Sequence, residues 1–110
     1  EYLQEADRAS ALRARLALAA GAADTGEIEA RLAANPADHA ARLELSRAYA
    51  AQSRFREAME AALEVAVRDR FFDEGAGRKA LLQLFEALGS SEQYDDLIRE
   101  FRRKLSAALN

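Results

Sequence analysis

Between sparse breaks, the apolar residues of this 110-residue chain recur every three or four positions, and that spacing constrains the fold more than any other feature. Phe55, Ala58, Met59, Ala62, Leu63 and Ala66 share one face of a helix. Leu81, Leu84, Phe85 and Leu88 form a second stripe, and Tyr94, Leu97, Ile98, Phe101, Leu105 and Ala108 a third. Leu12, Leu16 and Ala19 give a weaker stripe near the start, and Ile28 with Leu32 marks a short helix between Thr25 and Ala34. No segment combines strict alternation with β-branched residues, so no sheet is expected. Composition agrees: half of the chain is hydrophobic, much of that alanine, with one proline and five glycines. Alanine loses no side-chain entropy in a helix, and its small size lets neighbouring helices approach. The expected class is all-α.

The breaks fall at Gly21 with Asp24-Thr25-Gly26, at Asn35-Pro36, at Gln52-Ser53, from Asp73 to Gly77, and at Gly89-Ser90-Ser91, dividing the chain into about six helical segments. Asp24 with Glu27, and Ser90 with Gln93, have capping-box spacing, in which each partner satisfies an orphan amide of the other. Asp38 and Ser53 are expected as simple N-caps, and Gly89 as a C′ glycine with positive φ. Helices joined by breaks this short pack as antiparallel neighbours. Residues 1–110 are therefore expected to form a single domain of helix hairpins with a modest core.

The stretch from His39 to about Phe72 resembles one tetratricopeptide repeat of roughly 34 residues. It opens after Asn35-Pro36; Leu45, Ser46 and Tyr49 stand at the motif's leucine, small-residue and tyrosine positions, and Phe55 and Ala58 at the aromatic and alanine of its second helix. Ala62 in place of a large aromatic, Val65 in place of alanine and Arg70 in place of a closing proline depart from the motif. A narrower resemblance rests on Asn35-Pro36-Ala37-Asp38 through Arg42-Leu43, Arg56-Glu57-Ala58-Met59, Gly77 to Leu82, Leu84 to Gly89, and Phe101 to Leu105 followed by Leu109. Their order is similar to the C-terminal helices of chaperedoxins, bacterial co-chaperones in which a thioredoxin domain precedes tetratricopeptide-like helices. The resemblance implies a C-terminal fragment of a longer thioredoxin-like protein, a holdase that binds unfolded clients and passes them to the chaperonin. It also implies that a C-terminal helix makes the chaperonin contact.

Several function classes are not expected. A net charge of -3 argues against general nucleic-acid binding, which needs a basic surface. With no cysteine there is neither disulfide nor thiolate site, which suits a cytoplasmic protein, and no apolar run is long enough to cross a membrane. His39, the lone histidine, has no cysteine to join it in a metal site and no evident orienting partner. Asp95 and Asp96 point about 100° apart on a helix and read as dipole-complementing residues with Glu92. Gly75-Ala76-Gly77-Arg78-Lys79 fits neither phosphate-binding pattern and reads as a loop entering a helix. The chain is thus expected to be non-enzymatic, with no catalytic, metal or cofactor residues.

Two groups of residues are candidates for partner binding. Arg99, Arg102, Arg103 and Lys104 form a basic stripe beside Phe101, Leu105 and Leu109, suited to an acidic or apolar partner surface; the plainer reading is that cations in late turns complement the helix dipole. Leu43 and Arg47, with Ala40 and Ala51, would present the concave face of the repeat's first helix. Phe71-Phe72 is expected in the core. The expected partners are proteins, either unfolded clients and the chaperonin or, for a structural module that positions an upstream thioredoxin-fold domain, a second copy in a homodimer.

Overall fold

The computed structural model describes residues 25–109. Five helices occupy them: α1 at residues 25–34, α2 at His39–Ala51, α3 at Phe55–Arg68, α4 at Ala76–Leu88 and α5 at Asp95–Leu109. Successive helices pack as antiparallel pairs, and the all-α hairpin architecture is as expected. The Leu12, Leu16 and Ala19 stripe and the Asp24 cap lie outside the described residues.

Pairing begins where Ile28 of α1 packs on Ala41, Leu45 and Ala48 of α2, flanked by Leu32 and Tyr49. The reversal between these helices is built by Asn35, whose side-chain oxygen accepts from the Ala37 amide at 3.2 Å. Asp38 then caps α2 as expected, accepting from the Ala41 amide at 3.0 Å.

The crossing of α2 and α3 is lined by small residues. Ala58 has no exposed surface, and the buried Ser46 hydroxyl donates to its carbonyl at 2.7 Å. A larger residue at position 46 would hold the helices apart and lose this bond. The turn before α3 differs from expectation. Ser53 is not an N-cap: it takes a left-handed conformation at φ 61, and Arg54 occupies the cap position without a side-chain bond. The Arg54 amide reaches back to the Tyr49 carbonyl at 2.8 Å and the Ser53 amide to the Ala50 carbonyl at 3.0 Å. That is the Schellman pattern, so Ser53 ends α2, in a place where glycine is usual.

Close approach also governs α3 and α4. A methyl group added at Gly77 would lie 2.7 Å from the Ala66 amide nitrogen and 3.0 Å from the Ala62 carbonyl oxygen. The alanine that replaces the motif's aromatic at position 62 is therefore matched by a glycine on the facing helix. Before α4 the chain turns through three residues at positive φ, Asp73 (45), Glu74 (58) and Gly75 (81). Asp73 and Glu74 have Cβ atoms that disfavour this region.

The entry to α5 departs from expectation in two ways. Gly89 stays right-handed, at φ -63 and ψ -22, because Ser91 at φ -108 and ψ 111 carries the chain out instead. Ser90 makes no capping box: Ser91 precedes the short turn Glu92–Tyr94 and caps it through no side-chain bond.

The larger core gathers α3, α4 and α5: Met59, Ala62, Ala66, Leu81, Phe85, Leu88, Ile98, Phe101 and Leu105 are all buried. Phe55 meets Tyr94 edge-on at its margin, with centroids 5.1 Å apart. Each large side chain removed from water here contributes about 1.5–3 kcal/mol. Of the Phe71-Phe72 pair, neither is a full core residue. Phe72 is half-buried against His39, with centroids 5.1 Å apart, whereas Phe71 is 76% exposed because the left-handed turn after it directs the chain away. His39 is correspondingly half-buried, with an Nδ1 that finds no hydrogen-bond partner.

Candidate protein-binding surface

A concavity of the hairpins lies between α2 and α4. Arg47 and Ala50 of α2 form one wall, Lys79, Ala80, Gln83 and Leu84 of α4 the other, and Asp73 and Glu74 close one end. Its volume is about 490 Å³. The floor is made of small residues because the two helices carry alanine at successive turns, and the long polar side chains stand on the walls. Arg47 and Lys79 are exposed, and neither forms an ion pair among the described residues. Arg47 also borders a second depression between α1 and α2, beside Glu27, Arg31 and Glu44.

The residues singled out in the sequence separate by burial. Arg47 stands on the groove wall, but Leu43 of the same helix is only 5% exposed and serves the core. On α5, Arg99, Arg102 and Arg103 are exposed, Leu109 is half-buried, and Phe101 and Leu105 face inward among Met59, Leu81 and Phe85. The basic stripe and the apolar stripe of α5 are therefore different faces of the helix, and only the basic one is available to a partner as a continuous strip. Arg102 lies flat over the Phe85 ring at 5.0 Å, covering the core edge with its guanidinium. Lys79, Gln83 and Leu84 were not among the partner-binding candidates of the sequence, where Leu84 stood only in an apolar stripe and Lys79 only in the run entering a helix. Their signal was the i, i+4, i+5 spacing along α4, but nothing in the sequence says that this face meets Arg47.

Charge on the opposite side of α5 is spent internally. Arg56 of α3 donates twice to Glu100, at 2.8 and 3.0 Å, and Lys104 donates to the same carboxylate at 2.8 Å. Those bonds hold the Glu100 carboxyl down at about 2. Tyr49 is half-buried, and its hydroxyl donates to Glu29 at 3.0 Å. Burial, followed by that carboxylate, raises its pKa.

Among the described residues no three His, Cys, Asp or Glu side chains gather as a metal site, and no helix is long and apolar enough to cross a membrane. Antiparallel hairpins with small residues at each crossing, and a groove between the first helices of successive hairpins, describe one kind of module. The family model of the tetratricopeptide repeat matches residues 18–110. The chain belongs to the tetratricopeptide repeat family. Such repeats are general protein-interaction modules, so protein partners are the class of ligand to consider. No curated protein and no solved structure gave a significant match. The repeat that the sequence shows best, from His39 to about Phe72, corresponds to α2, α3 and the turn after them, and α4 with α5 supplies a second hairpin whose sequence matches the motif poorly.

Proposed function

We propose that this tetratricopeptide domain is a non-enzymatic interaction module that holds an extended segment of a partner protein in the groove between α2 and α4. The observation that carries the reading is the pair of exposed cations, Arg47 and Lys79, which line one groove and form no ion pair among the described residues. They suit carboxylates on the segment, while the alanine floor suits small apolar side chains; Asp73 and Glu74 favour a cation at its other end.

The finer reading comes from the order of motifs similar to chaperedoxins: a cytoplasmic, thioredoxin-like co-chaperone whose helical region takes unfolded clients in this groove and meets the chaperonin through Arg99, Arg102 and Arg103 of α5. It carries no cofactor, and nucleic acid and membrane are not its partners. The test is suppression of aggregation of a chemically denatured client, followed by light scattering, with chaperonin capture in parallel. Arg47→Glu with Lys79→Glu is expected to abolish suppression, and Arg99→Glu with Arg103→Glu to abolish capture. Folded variants that retain both activities overturn the reading.

The second reading is a structural or dimerisation module that positions an upstream domain. Consumption of the apolar stripes of α3, α4 and α5 inside one core favours it. Absence of client suppression by the folded wild-type chain, with self-association in sedimentation, is the outcome that selects it.

A further inference from the structure

A second groove, between α4 and α5, lies apart from the α2–α4 groove and has a different chemistry, sharing only Arg102 with the α5 contact proposed above. Leu82 and Phe85 of α4 and Leu105 and Leu109 of α5 form its floor, and Arg78 and Arg102 stand on its two rims. Its volume is about 250 Å³, and at Leu109 and Arg78 it meets a further depression of about 370 Å³ bordered by Arg70 and Phe71. Phe71 is the most exposed large apolar side chain among the described residues, at 76%, and Arg70 covers one side of its ring at 5.1 Å. The groove exists because α4 and α5 each pack more closely on α3 than on each other.

The charges around this groove are unmatched. Arg31, Arg54, Arg56, Arg68 and Lys104 each have a carboxylate within 4 Å. Arg70, Arg78, Arg102 and Arg103 have none, although the chain as a whole carries a net charge of -3. Glu74 and Asp95, which border the neighbouring depressions, form no ion pair with these four. Surface arginines left free beside an apolar floor lose no internal ion pair when they meet an external carboxylate.

We infer that the α4–α5 groove docks an amphipathic, acidic helix of a partner protein, its apolar stripe on Leu82 and Leu109 and its flanking carboxylates on Arg78 and Arg102. A helix fits because both walls are helix flanks, and a third helix lies along such a seam with residues at i, i+4 and i+7 directed into it. The 13 residues of α4 give a seam about 20 Å long, which accommodates between three and four turns. Phe71 supplies an apolar contact at the end of the seam.

The probe is a fluorescent 16-residue peptide with leucine at helical spacing and glutamate on both flanks, and the control is its lysine counterpart. Anisotropy titration of the full chain is expected to show binding of the acidic peptide alone, weakened by added salt. Arg78→Glu and Phe71→Ala, both at exposed positions, are each expected to reduce affinity at least tenfold with the circular dichroism spectrum unchanged. Arg47→Glu with Lys79→Glu should leave it unaltered, which separates this site from the α2–α4 groove. Equal binding of both peptides, no binding of either, or insensitivity to Arg78→Glu overturns the proposal. So does sedimentation showing that a second copy of the chain occupies the face, with Phe71→Ala dissociating it.

Discussion

At Gly77 a single hydrogen atom decides how α3 and α4 meet. Alanine is favoured over glycine inside a helix by about 1 kcal/mol, yet its methyl would press on the Ala62 and Ala66 backbone. Backbone cannot rotate away as a side chain can, and overpacking costs about 1–3 kcal/mol. Gly77→Ala is therefore expected to lower stability by up to about 2 kcal/mol in urea unfolding. A stabilised variant would mean that α4 is free to shift along α3. Ser53 offers the opposite case. Its φ of 61 costs an L-residue about 1–2 kcal/mol, part of which glycine recovers, so Ser53→Gly should raise the melting temperature by the equivalent of about 0.5–1 kcal/mol. A serine acting as N-cap of α3 would show no such gain. The sequence misled here for a physical reason. Serine serves both N-caps and turns, and which it does depends on where the preceding helix stops. Tyr49 illustrates the same limit: the motif gives its position on the helix, but not that its hydroxyl stays at the surface to reach Glu29.

At the scale of the element, α5 shows what periodicity can and cannot reveal. Ile98, Phe101 and Leu105 were legible as one buried stripe because the i, i+3, i+7 spacing permits nothing else. The spacing did not reveal that Arg56, 44 positions earlier, would reach Glu100. That bridge also draws Lys104 over the Phe101 ring at 4.7 Å, so it closes α5 over the core edge. Its pH dependence follows from the sign of the shift. The Glu100 carboxyl is held below its ordinary 4.5, at about 2, by the Arg56 and then the Lys104 hydrogen bonds. A depressed carboxyl contributes stability that is complete above the ordinary value and disappears as pH falls towards the folded-state value. Wild type is thus expected to melt above Glu100→Gln at pH 6, with the gap closing between 4.5 and about 2. A gap independent of pH over that interval would show that the carboxylate charge has no part in holding α5. Salt should narrow the gap at pH 6, since the partners are partly exposed.

For the whole molecule, the hairpin order was legible in the breaks and stripes, whereas both grooves were not. A groove belongs to two elements at once: Arg47 and Lys79, or Leu82 and Leu109, come together only after α3 has fixed how α4 and α5 lean on it. That central role of α3 has an energetic consequence. The core consists of one cluster spanning α3, α4 and α5 and a smaller one spanning α1 and α2, joined through the α2–α3 crossing at Ser46 and Ala58. The small cluster rests on Ile28, Ala41, Leu45 and Ala48, of which two are alanines that bury little area. A chain of hairpins that contact only their neighbours opens from its weaker end. Native-state hydrogen exchange should accordingly find the slowest amides in α3 between Ala58 and Ala66, and α1 should exchange through openings that leave α3 intact. Phe101→Ala, which empties the larger cluster, should cost about 3–5 kcal/mol and speed exchange in α3, α4 and α5 together. Ile28→Ala should speed exchange in α1 and leave α4 and α5 unchanged. If Ile28→Ala instead loosened all five helices equally, the Ser46–Ala58 crossing would be coupling the two clusters into one cooperative unit, and the division of the core would have no energetic meaning.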